Sequence, residues 1–105
     1  MRISLIIKRH WFDEIRAGRK KKEYRNTTER MTRQICEIGE TKGDLWQIVA
    51  FKPITEILLL NGYHKNRPTM LVECTGIEIE TETDESGEYD MFVFNIGKIL
   101  KVENC

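Results

Sequence analysis

Residues 18–25 read Gly-Arg-Lys-Lys-Lys-Glu-Tyr-Arg, the densest polar stretch of the chain. If residues 20–25 form a strand, alternate side chains share a face. Lys20, Lys22 and Tyr24 then lie on one side, and Lys21, Glu23 and Arg25 on the other. A bulge after Gly18 brings Lys20 toward the second set. A Lys, a Glu and an Arg grouped this way hold one another by ion pairing and still offer donors to a phosphate or a base edge. The same grouping can tune a lysine toward catalysis. Taken alone, the pattern reads first as a surface ladder of ion pairs, which stabilises little.

A second candidate is Asn61-Gly62-Tyr63, followed by the basic residues His64, Lys65 and Arg67. An aromatic side chain beside a turn and a basic loop suits base stacking. Asn61 offers both a donor and an acceptor to a base edge, and Asn-Gly is equally a turn signal in its own right. Trp46 reads as a core aromatic, with base stacking as the alternative. Metal chemistry lacks a ligand pattern. The two histidines, His10 and His64, stand 54 positions apart, and Cys36, Cys74 and Cys105 are scattered. No metal and no cofactor are expected. No glycine-rich phosphate loop of the nucleotide-binding type is present.

The elements that must position these residues fit one domain. The chain has 105 residues, 40% apolar and 32% charged, a globular composition. Basic and acidic residues number 17 each. The neutrality hides a split: 12 Lys/Arg against 7 Asp/Glu in residues 1–50, and 5 against 10 in residues 51–105. Eight of the basic residues lie between Lys8 and Arg25, a stretch able to attract phosphate locally or to serve only as a solvated face. No apolar run approaches the ~20 residues of a membrane helix, and the N-terminal apolar stretch is short for a signal peptide. A cytoplasmic location and no membrane partner are expected. The odd, widely spaced cysteines argue against a disulfide framework.

Residues 2–8 read as a buried strand. Residues 10–17 read as a helix whose apolar face is Trp11 and Ile15 at i and i+4, with Phe12 beside them. Asp13 and Glu14 are placed near its start and Arg16 near its end, to suit the dipole. Gly18 is the expected stop. A strand over 20–25 follows. Thr27 or Thr28 caps a second helix, in which Met31, Ile35 and Ile38 set the apolar spacing up to Gly39. Strands are expected over 45–51, 54–60, 70–83 (broken at Gly76) and 91–102, with an acidic hairpin loop over 84–88. Gly97 marks a bulge or a close approach. Early helices followed by a run of strands indicate α+β, with a small closed or nearly closed barrel as the way to remove sheet edges.

Gly18, Lys20, Glu23 and Arg25 match the pattern Gly-x-Lys-x-x-Glu-x-Arg, and residues 11–17 fit the helix that leads into it. Together with Asn61-Gly62-Tyr63 and the closing Ile96-Gly97-Lys98-Ile99-Leu100, the chain resembles the ASCH domain, the activating-signal-cointegrator homology domain of the PUA-like superfamily. The resemblance is to the small bacterial and phage single-domain type and covers nearly all of residues 1–105. It implies a PUA-like small β-barrel with flanking helices and a cleft between them. It further implies a ligand, RNA or a modified nucleotide, held by Lys20, Glu23, Arg25, Asn61 and Tyr63.

Two enzymatic branches of that superfamily bear on the same cleft. In amidohydrolases acting on acetylcytidine, the motif lysine corresponds to Lys20, but their threonine position is Glu23 here. A carboxylate there does not replace a hydroxyl nucleophile. The other branch is that of metal-independent ribonucleases, for which Lys20 and Glu23 are the catalytic candidates. A protein-interaction module is the third reading. Oligomeric state is not legible.

Overall fold

The computed structural model describes residues 1–40 and 46–105, without the side chains of residue 40 and residues 46–49. Nine elements follow one another: β1 (Arg2–Ile6), α1 (Arg9–Arg16), β2 (Lys22–Asn26), α2 (Glu29–Ile35), β3 (Cys36–Glu40), β4 (Trp46–Phe51), β5 (Glu56–Leu60), β6 (Thr69–Asp84) and β7 (Gly87–Glu103). The fold is α+β. Five strands form one sheet in the order β1-β5-β6-β7-β2, and β3 and β4 form a separate hairpin. Only β1 and β5 pair in parallel within the main sheet. Among the described residues no ladder joins β1 to β2, so a closed barrel is not formed by backbone pairing.

The core follows from alternation. Ile3 and Leu5 of β1 point inward between exposed neighbours, and Ile57 and Leu59 of β5 between half-buried ones. Met70, Val72, Phe92 and Phe94 complete the buried layer from β6 and β7. Each such side chain contributes roughly 1.5–3 kcal/mol on full burial. No helix among the described residues is long and apolar enough to cross a membrane.

Helix α1 differs from its expected face. Phe12 and Ile15, at i and i+3, are the buried pair, while Trp11 is 45% exposed. A helix this short covers the sheet with one narrow stripe, and Phe12 takes the inner position. Its first turn holds no acidic residue, because the helix begins at Arg9, one residue earlier than expected. Asp13 instead pairs with Arg9 at 3.1 Å across one turn. The C-terminus closes as a Schellman motif. The amide of Gly18 donates to Ile15 O, that of Arg19 donates to Glu14 O, each at 3.0 Å, and Gly18 takes φ +80°.

Thr28 caps α2, its hydroxyl accepting from the Met31 amide at 3.2 Å. The helix ends at Ile35, so Ile38 does not continue its apolar face as the spacing suggested. Residues 36–40 form β3, paired antiparallel with β4. A strand partner outweighs the weak helix propensity of the β-branched Ile38 and of Gly39. β6 runs unbroken through Gly76, with register shifts between Leu71 and Gly76 in place of a break. Gly97 is a close approach: a Cβ there would lie 2.9 Å from Thr75 Cγ2 and 3.1 Å from Glu73 Cβ.

Candidate functional site

The turn that ends α1 delivers Lys20 to β2. After the Schellman motif, the Lys20 amide also donates to Glu14 O, at 3.1 Å. The Arg19 side chain clamps the same residue, with Nε 2.7 Å from Glu14 Oε2 and Nη2 3.1 Å from Oε1. That hydrogen bond from Arg19 holds the Glu14 carboxyl below its ordinary range. β2 begins only at Lys22, so Lys20 stands outside the strand alternation. It joins Glu23 and Arg25 as the bulge reading required, but through the helix stop.

Glu23 opposes Phe94 and Arg25 opposes Phe92 in the pairing of β2 with β7. Glu23 is therefore drawn into the sheet interior and is 5% exposed. A buried carboxylate must be paired and hydrogen-bonded. Its Oε1 accepts from the Tyr24 amide at 3.1 Å and lies 3.7 Å from Lys20 Nζ. Its Oε2 lies 3.4 Å from Arg25 Nη2. Both cationic side chains remain partly open to solvent, at 17% and 24%. The ammonium of Lys20 sits 4.8 Å from the Trp11 ring centroid and 5.4 Å from that of Tyr24. Such placement attracts a cation to the ring faces. It explains why Trp11 stays at the surface: the ring covers Lys20 instead of the core.

A hollow of about 420 Å³ opens over this group, lined by Trp11, Glu23, Tyr24, Arg25 and the turn after β1. Lys20 does not itself line it; its ammonium packs on two side chains that do. A second hollow of about 490 Å³ is lined by Asn61, Gly62 and Tyr63. Ile6, Ile7, Lys8 and Arg25 border both, so the two hollows adjoin. Asn61 fixes its own segment by donating Nδ2 to Ile7 O at 3.1 Å, and Gly62 takes φ +103°. The segment is part of an eight-residue connection from β5 to β6, closed where the Asn61 amide meets Pro68 O at 2.9 Å. Tyr63 beyond it is 83% exposed. Glu23 and Arg25 thus line the first hollow, Asn61 and Tyr63 the second with Arg25 between them, and Lys20 packs behind the first without lining it.

Sequence reasoning missed Trp11 and Lys8 as cleft residues. The signal for Trp11 was available: Phe12 and Ile15 already supply a helix stripe, leaving the adjacent indole without a core position. The Trp46 side chain lies outside the described residues. Cys36 and Cys74 are buried, and burial pushes both thiols above their ordinary range. Among the described residues no three His, Cys, Asp or Glu side chains gather to hold a metal ion. Comparison with family models, with curated proteins and with solved structures finds no match to this chain.

Proposed function

We propose that the chain is a PUA-like domain of the ASCH type that binds single-stranded RNA or a modified nucleotide in the cleft over Glu23. One observation carries the reading. A buried carboxylate is held between two partly open cations, beside two exposed aromatic rings. A surface ion-pair ladder has no reason to bury its acid or to keep Trp11 in solvent. Cations supply phosphate or carbonyl contacts, and aromatic faces supply base stacking worth about 1–3 kcal/mol per base. The barrel-like reading draws support from Arg25, whose Nη2 reaches from edge strand β2 to Ile6 O of edge strand β1 at 2.8 Å.

Binding is favoured over turnover. Glu23 accepts hydrogen bonds from the Tyr24 amide and from Arg25, with Lys20 at ion-pair distance, so its carboxylate is already committed to its own neighbours. The nearby hydroxyls are committed elsewhere. Thr27 donates to Asp90 O at 3.2 Å, and Thr28 caps α2. Acetylcytidine hydrolysis is accordingly expected to be absent.

Titration of a fluorescent single-stranded RNA at several salt concentrations tests the reading. Each phosphate contact adds about −0.7 to the slope of log K against log salt. Two to four contacts from Lys8, Lys20, Arg25 and Lys22 give a slope of about −1.5 to −3 by that rule. Arg25→Ala lowers affinity and slope, while Tyr63→Ala lowers affinity alone. No binding at low salt would leave the protein-interaction module as the better reading.

A further inference from the structure

We infer that a second copy of this chain docks on the outer face of the main sheet, each copy laying its acidic β6–β7 arm along a basic groove of the other. β5 leaves that face apolar. Its run over Glu56–Leu60 reads Glu-Ile-Leu-Leu-Leu. Ile57 and Leu59 fill the core, while Leu58 and Leu60 point to the other side and stay half-buried. A strand with one face in water ordinarily alternates apolar with polar residues. Leu71 of β6, the cross-strand partner of Leu58, extends the patch. The three leucines lie in a groove of about 380 Å³. The charged residues lining it are Arg2, Lys65, Arg67 and Lys101, against Glu103 alone. Arg2 pairs with Glu56 and Lys101 with Glu103, whereas Lys65 and Arg67 have no acid partner among the described residues.

Charge identifies the occupant. Residues 78–90 carry seven acidic side chains and no lysine or arginine. They form the far end of the hairpin, which pairs Thr69 with Glu103 at the groove and Asp84 with Gly87 at the tip. Pairing of β6 with β5 reaches only Glu73, and pairing of β7 with β2 only Met91, so the arm projects past both neighbours. Ile77 and Ile79 stand opposite the buried Phe94 and Phe92. Alternation puts Glu78, Glu80 and Glu82 on the other face, in register with Val93, Met91 and Tyr89. Lys22 reaches Glu80 at 3.9 Å. Glu78 and Glu82 have no cation partner among the described residues.

One chain does not join its own two ends. At ~3.3 Å per residue the length of β6 comes to about 50 Å, matching the molecule's longest extent of 48 Å. No residue from 76 to 90 lines the groove. Two copies laid antiparallel bring each arm to the other's groove. The same patch then serves both copies, as a two-fold interface requires. A parallel arrangement would set acid against acid. Tyr89, exposed beside Glu82, gives the arm an apolar surface for the leucines. The groove shares no lining residue with the hollows at Glu23 and Tyr63, so docking here does not depend on nucleotide binding there.

Analytical ultracentrifugation of the full chain, over a concentration series at two salt levels, tests the docking. Between about 0.1 M and about 1 M salt the screening length falls from about 10 Å to about 3 Å. The native chain is expected to show a monomer–dimer equilibrium that weakens at least about tenfold over that range. Lys65→Glu with Lys101→Glu reverses the groove, and Glu78→Lys with Glu82→Lys reverses the arm. Each double variant, checked for native circular dichroism, is expected to be monomeric. An equimolar mixture of the two is expected to restore the dimer, because reversed arm meets reversed groove and native arm meets native groove. This mixing arm cannot succeed with a misfolded variant. Monomers of the native chain at every concentration in low salt overturn the inference. So does a dimer that withstands high salt and both reversals, or a mixture that stays monomeric. Growth beyond two copies overturns the antiparallel closure.

Discussion

Arg25 joins the two edges of the main sheet: its Nη2, carried by β2, lies 2.8 Å from the main-chain oxygen of Ile6, at the end of β1. The same nitrogen is 3.4 Å from Glu23 Oε2. One guanidinium thus bridges the two edge strands and pairs with the buried acid. Fold and site share this residue, which has consequences for stability.

Arg25→Ala is expected to cost about 2–3 kcal/mol. That lies below the full penalty of breaking a buried ion pair, because Lys20 remains and the site is partly open. Adding Glu23→Gln is expected to cost less than the sum of the two changes, since the orphaned charge goes with it. Urea unfolding of the four proteins checks this, and strict additivity would deny the coupling.

Gly97→Ala is expected to destabilise by about 1–3 kcal/mol through overpacking, because the new methyl would meet Thr75 and Glu73 at 2.9 and 3.1 Å. Gly18→Ala is expected to cost about 1–2 kcal/mol for an L-residue in the left-handed region, with open space around the added carbon. Gly76→Ala, where the nearest atom is 3.7 Å away, is the near-neutral control. Thermal unfolding ranks the three.

The clamp between Glu14 and Arg19 predicts a pH effect. Arg19 holds the Glu14 carboxyl below its ordinary value. A depressed folded value means that the stabilisation is present above the unfolded value, about 4.3. It is lost as pH falls through the folded one. Stability of the native chain should therefore drop more steeply between about pH 5 and 3 than that of Arg19→Ala. Superimposable pH profiles would contradict the clamp.

Thiol labelling should separate the cysteines. Cys105 is exposed, whereas Cys36 and Cys74 are buried with raised thiols. One thiol per chain is expected to react promptly in the folded state, and the other two only at the rate of opening. Prompt reaction of all three would place Cys36 or Cys74 outside the core.

Local chemistry made much of this legible in the sequence. Gly18 stops α1, Thr28 caps α2, and the eight residues from Gly18 to Arg25 carry the convergent Lys20, Glu23 and Arg25, because turn and cap preferences act within a few residues. What was not legible depends on distant partners. Ile38 follows helical spacing, yet β4 recruits it into β3. Trp11 is a different case: its i, i+4 spacing to Ile15 placed it on the apolar face, although Phe12 and Ile15 already supply the buried stripe, and its ring packs on Lys20 instead. The bridge from Arg25 to Ile6 joins residues 19 positions apart across two sheet edges, a relation that no periodicity contains.

The most direct test of the central claim is a nuclear magnetic resonance titration with a short single-stranded RNA. It follows the Trp11 indole N–H, the Arg25 Nε–H and the amides of residues 6–8, 23–26 and 61–63. These signals are expected to move together and saturate, while the amides of Glu85 and Ser86 at the tip of the β6–β7 hairpin stay still. Shifts centred instead on the separate groove lined by Arg2, Lys65 and Lys101, or no shifts at low salt, would contradict it.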